Sequence, residues 1–152
     1  MKELEGRTGI VTGGSSGIGY AIANVLAENG ARVFVISRTG KEKEGLAPSV
    51  PGVTHVKGDV TDYNCMEDLV NSIAETSGLD FLINNAGITK KCRAEKFPME
   101  DFGHIMEVNV TSLFALSQIC YPYLKNSPYK GRIINISSMA AHLGFSEVVP
   151  YC

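Results

Sequence analysis

Thr12-Gly13-Gly14-Ser15-Ser16-Gly17-Ile18-Gly19 stands between two segments of opposite hydrophobic period. Ahead of it, Thr8 to Thr12 is a short β-branched run that reads as a strand. Behind it, Ile18 to Asn29 spaces its apolar residues as a helix does, and Gly30 supplies the stop. Glycines at such a junction permit a tight turn and let peptide N–H groups approach an anion closely. The helix start adds a partial positive charge to the same spot. A Walker phosphate loop is excluded, because no Gly-Lys-Ser/Thr follows. A Gly-rich turn serving packing alone is the bland alternative, and the strand-before, helix-after context disfavours it.

Outward from the loop the alternation continues. Arg32–Ser37 is a second strand, apolar on both faces as a covered parallel strand is. Residues 39–52 are polar and broken by Pro48, Pro51 and glycines, so any helix there is short. A third strand at Val53–Lys57 leads to Asp59 and then a helix over Cys65–Thr76. Leu79–Asn84 is a fourth strand, and Ile133–Ser137 a fifth. One helix runs between them from about Phe102 past Asn109 to Lys125. Repeating βαβ units predict an α/β fold around a parallel sheet with helices on its faces.

Composition fits one domain of 152 residues. Fourteen basic against sixteen acidic side chains give a net charge of −2, which disfavours nucleic acid as a partner. No apolar run approaches the ~20 residues that cross a bilayer, and the start, Met1-Lys2-Glu3-Leu4-Glu5, has no leader character. Cys65, Cys92, Cys120 and Cys152 contain no C-x-x-C pair, which predicts reduced thiols and a cytoplasmic setting. His55, His104 and His142 lack metal-ligand spacing, so no metal is expected and packing or surface roles are assigned. Two sequons, at Asn109 and Asn135, lie inside apolar segments and read as chance matches.

A dinucleotide fold selects its ribose near the end of the second strand. An Asp or Glu there would accept from a free 2′-hydroxyl, but this chain has Ser37 and then Arg38. A guanidinium suits a phosphate instead, so NADP is favoured over NAD, with Lys41 and Lys43 as helpers.

Taken in order, these motifs resemble the short-chain dehydrogenase/reductase family over nearly the whole chain. The matching pieces are Thr12–Gly19, Asp59-Val60, Asn84-Asn85-Ala86-Gly87, Val108-Asn109-Val110, Gly131 through Ser138, and Tyr151. The resemblance implies a Rossmann-type sheet of five strands in the order 3-2-1-4-5, lacking the family's last two. It implies cofactor contacts from Thr12, Gly13, Ser15, Ser16, Gly17, Ile18, Gly19, Ser37 and Arg38. Asp59 would meet the adenine amino group, Val60 would pack beside the ring, and Asn85, Ala86 and Gly87 would line the ribose side. Ser138 lies thirteen positions before Tyr151, the family's spacing, which selects it over Ser137. Ser138 and Tyr151 would be the catalytic couple, with Asn109 holding a relay water through its backbone.

The implied activity is hydride transfer between NADP and a small carbonyl or secondary alcohol, with homo-oligomers common among relatives. The family's lysine four places after the tyrosine is missing, since the sequence reaches only Cys152. The chain therefore reads as the amino-terminal piece of a longer enzyme, inactive by itself. The alternative is a non-catalytic nucleotide-binding or interaction module.

Overall fold

The computed structural model describes residues 2–152. Five parallel strands form one sheet: β1 (Thr8–Thr12), β2 (Arg32–Ser37), β3 (Val53–Lys57), β4 (Phe81–Asn84) and β5 (Arg132–Asn135). Their order is β3-β2-β1-β4-β5, as expected. Val11 sits in register with Val35 on one side and Ile83 on the other, so β1 is the central strand.

Side chains alternate across a strand, and the core divides accordingly. Ile10, Ile36 and Leu82 point to the face covered by α2 (Tyr63–Ser77) and α4 (Ser112–Lys125), meeting Met66, Val70, Leu116 and Cys120. Val11, Val33, Val35 and Ile83 take the other face, against Ala23 and Ala27 of α1 (Gly17–Glu28). Each fully buried Ile or Leu side chain contributes about 1.5–3 kcal/mol. Alanines at the α1 contact let that helix approach the sheet closely. The carboxylate of Asp80, at the base of β4, accepts from the Thr8 N–H at 2.8 Å and the Ser127 hydroxyl at 2.6 Å, tying β1 and the approach to β5 together.

Several boundaries differ from the sequence reading, α2 among them, which starts at Tyr63 rather than Cys65. The fourth strand begins at Phe81 rather than Leu79, although Asp80 just ahead of it still donates its N–H to the Thr8 carbonyl and accepts from the Arg132 N–H. The fifth spans Arg132–Asn135 and ends before Ser137. The single helix predicted from Phe102 to Lys125 is a composite: α3 (Met99–Met106), a π turn at Glu107–Thr111, then α4. A π turn inserts one residue and resets which side chains face inward. No helix runs through 39–52; that stretch drapes over α1, with the Tyr20 hydroxyl donating to the Ala47 carbonyl and Asn24 Oδ1 accepting from the Val50 N–H. Among the described residues no helix is long and apolar enough to cross a membrane, and all four cysteines are free thiols.

Candidate functional site

The Gly-rich bend turns over the carboxyl ends of β1, β2 and β4, where open parallel sheets bind ligands. Gly13 takes a φ of 67° and donates its N–H to the Ile36 carbonyl, and a Cβ on it would stand 2.8 Å from the Ala86 backbone. Gly19 is where α1 approaches the bend; a Cβ there would lie 2.4 Å from the Asn85 amide and 2.8 Å from the Gly13 carbonyl oxygen. The first bonded amide of the helix is that of Tyr20, donating to the Ser16 carbonyl. Ser16, at the N-cap, makes no side-chain capping bond. Between Gly13 and Tyr20, therefore, the N–H groups of residues 14–19 find no hydrogen-bond partner among the described residues. A helix start with its amides uncapped and clustered is an anion site waiting to be filled.

β4 holds the bend in place. The buried Thr12 hydroxyl accepts the N–H groups of Asn85 (3.1 Å) and Ala86 (3.0 Å). The Asn85 amide donates back to the carbonyls of Thr12 and Gly13. These bonds lock two loops from non-adjacent parts of the chain at one end of the sheet.

A cleft of about 400 Å³ opens between those loops. Gly13, Ser15, Ser16, Ser37, Arg38, Asp59, Val60, Asn85, Ala86 and Gly87 line it, all expected from the sequence. Thr12, Gly17, Ile18 and Gly19 do not. Thr12 is buried beneath as a brace, Gly19 serves close packing, and Ile18 is exposed on the outer face of α1. Arg38 is exposed and has no ion-pair partner among the described residues. Lys43 is fixed to the bend through its backbone, whose N–H donates to the Ser15 carbonyl at 2.9 Å. Lys41 lies in the same exposed stretch but does not line the cleft.

Asp59 Oδ1 accepts from both the N–H and the hydroxyl of Thr61. The Thr61 N–H is the main reason its carboxyl lies below the ordinary range, with Arg38 and His104 adding to it. Oδ2 has no partner among the described residues and is left for a donor in the cleft.

His104 lines this cleft, together with Val108 on the same helical stretch. The sequence reading set it aside as a packing or surface residue. Its four-residue spacing from Val108, which puts both on one helix face, was the signal that could have found it.

Asn109 lies within the π turn and lines neither cavity. Its side chain clamps the backbone of one residue: Oδ1 accepts from the Ile88 N–H and Nδ2 donates to the Ile88 carbonyl, both at 2.8 Å. The turn is anchored from α2 by the Tyr63 hydroxyl, which donates to the Glu107 carboxylate; that bond pushes the Tyr63 phenol up to about 12.

Ser138 and Tyr151 meet in a second cavity of about 390 Å³, along with Thr89 and Lys91. Ser138 caps the short turn Met139–Ala141, its Oγ accepting the Ala140 N–H at 3.2 Å. Ser137 does not line that cavity. The segment after β4 walls both spaces, the cleft through Ile88 and the second cavity through Thr89. The arrangement can therefore seat an extended anionic ligand on the bend and bring its far end toward a serine–tyrosine pair.

Comparison with known proteins agrees with this geometry. The chain is 35% identical over 151 residues to 2-dehydro-3-deoxy-D-gluconate 5-dehydrogenase of Bacillus subtilis, covering 97% of this chain and 59% of the relative. It is 39% identical over 146 residues to a 3-oxoacyl-(acyl-carrier-protein) reductase of Vibrio cholerae, covering 93% and 58%. The ligand-free structure of an aldohexose dehydrogenase from Thermoplasma acidophilum superposes with a TM-score of 0.88 at 29% identity, over 99% of this chain and 56% of that one. The chain thus spans somewhat more than half the length of these relatives. The short chain dehydrogenase family model matches residues 7–152, and the chain belongs to that family.

Proposed function

We propose that the 152-residue chain forms one NADP-binding unit of an oxidoreductase that moves hydride between nicotinamide and a carbonyl or secondary alcohol. The supporting observation is the run of unpaired N–H groups from Gly14 to Gly19, in a bend whose Ser15 and Ser16 line the same cleft as Arg38. The Gly-rich bend would hold the pyrophosphate, and Arg38, with Lys41 and Lys43 nearby, the 2′-phosphate. Asp59 Oδ2 would accept from the adenine amino group with Val60 beside the ring, while Asn85, Ala86 and Gly87 would face the ribose.

A bound dihydronicotinamide supplies the hydride. Ser138 Oγ would hydrogen-bond the substrate oxygen as negative charge grows there, and the Tyr151 hydroxyl would give it a proton. An unperturbed phenol has a pKa of about 10, so efficient transfer at neutrality needs cationic support for the phenolate. Asn109 has its side chain committed to Ile88, and its backbone would hold a relay water.

Calorimetric titration with NADPH and NADH tests the cofactor assignment. NADPH binds more tightly on this reading; equal affinities would remove the 2′-phosphate role of Arg38, and no heat with either would remove nucleotide binding. For these 152 residues by themselves the reading is nucleotide binding with little or no turnover. They hold no lysine four places after Tyr151. Robust NADPH oxidation over a panel of carbonyl compounds, abolished by Tyr151→Phe, would refute that inactivity. The relatives named above act on a sugar acid, an acyl-carrier thioester and an aldohexose, so substrate class has to be sought in this chain's own second cavity.

A further inference from the structure

The cavity that joins Ser138 to Tyr151 has one charged residue in its lining, Lys91. The rest is neutral: hydroxyls from Thr89 and Ser146, and apolar surface from Phe145 and Val148. Two adjacent lysines behave differently here. Lys90 is paired with Asp101, Nζ to Oδ2 at 2.5 Å, whereas Lys91 has no ion-pair partner among the described residues. Its position is set by the backbone. The N–H of Cys92 donates to the Glu147 carbonyl at 2.8 Å, which stitches the residue after Lys91 to the loop between Ser138 and Tyr151.

Lys91 is exposed, and an unpaired cation among otherwise neutral lining residues favours an anionic ligand over a neutral one of the same shape. The charge is single and comes from an ammonium, with no guanidinium fork among the lining residues. One positive charge is balanced by a monoanionic carboxylate and leaves a phosphate dianion with an uncompensated negative charge. From these observations we infer that the cavity takes a carbonyl compound bearing a carboxylate, and that Lys91 is the residue that selects it. The inference rests on the oxidoreductase reading of the same site and adds the substrate's charge class.

The test is an amide-resolved NMR titration of the full 152-residue chain, saturated with NADP+, using pyruvate and levulinate, each against its methyl ester. The acids shift the amides around Lys91, Ser138 and Tyr151 and bind about tenfold more tightly than the esters. Lys91→Ala removes that preference, Lys91→Arg keeps most of it, and Lys90→Ala leaves it unchanged. Acids and esters binding alike, no acid-induced shifts near Lys91, or a preference that survives Lys91→Ala would each overturn the assignment. Hydroxyacetone phosphate binding more tightly than either acid would overturn the choice of carboxylate. Absence of NADP+ shifts at residues 14–19 would instead bring down the nucleotide reading and this inference with it. Normal NADP+ shifts with unselective probes sink the substrate class alone.

Discussion

The cleft at the Gly-rich bend and the serine–tyrosine cavity adjoin one another but are built in opposite ways. The cleft floor is buried backbone: every residue of β1 is inaccessible, and the Thr12–Asn85–Ala86 bonds cross 73 or 74 positions of sequence. The segment carrying Ser138 and Tyr151 has one buried residue after Ser138, Ala140, and leaves Leu143, Phe145, Val149 and Tyr151 exposed. Apart from local turns it is held by the Ile136 N–H on the Asn84 carbonyl and by the Cys92–Glu147 bond. Glu147 accepts that bond at a φ of 66°, a conformation that costs a non-glycine residue about 1–3 kcal/mol. The proposed binding site thus rests on a cooperative core, and the proposed serine–tyrosine couple on a thin, partly strained flap. The two should respond to mutation on different scales.

The largest effect is expected in the cleft floor. Thr12→Val takes the acceptor from two half-buried N–H groups and should cost about 2–4 kcal/mol in chemical denaturation, while Thr12→Ser stays near wild type. A small loss with Val would break the contrast between the two regions. Next, Arg38→Asp should weaken NADPH about ten- to hundredfold while changing NADH far less, as titrations of both cofactors would read. Equal losses would make Arg38 a general electrostatic contributor. Asn109→Ala should cost about 1–2 kcal/mol and show as faster hydrogen exchange at the Ile88 amide, the bond it removes. Unchanged exchange there would mean that the π turn positions the β4 loop without the clamp.

The smallest effect is a pH dependence in the loop draped over α1. The Ser49 N–H holds the Glu42 carboxyl down to about 2 from an ordinary 4.5. The unfolded chain takes up this proton first, so the contribution is complete above about pH 4.5 and fades as pH falls toward 2. Acid titration should loosen residues 42–50 in this window, and Glu42→Gln should remove the pH dependence at every pH where the rest of the chain stays folded.

How much of this was legible in the sequence follows the same divide. The strands, the Gly-rich bend and Arg38 could be read because glycines, β-branched runs and a lone guanidinium state their conformational and charge demands locally, whereas the strand order and contacts such as Asp59 and Asn85 came with the family resemblance. The π turn could not, because Glu107–Thr111 has nothing in its composition that separates it from ordinary helix; its cause is tertiary, in the Tyr63–Glu107 and Asn109–Ile88 bonds. Thr12 was expected to touch cofactor and proves to be a brace, since its hydroxyl finds Asn85 and Ala86 only after folding. His104 was passed over because its value lies in the company of Asp59 and Arg38, which come from other elements. Ser138 and Tyr151 are paired in the sequence only by a family spacing, and in the structure both line one cavity.

The most direct test of the central claim is the amide spectrum of this chain during addition of NADPH. Large, saturable shifts at Gly14 through Gly19 and at Arg38, with smaller ones at Ser138 and Tyr151, are the predicted result. Saturable binding that leaves the amides of residues 14–19 unmoved would contradict it.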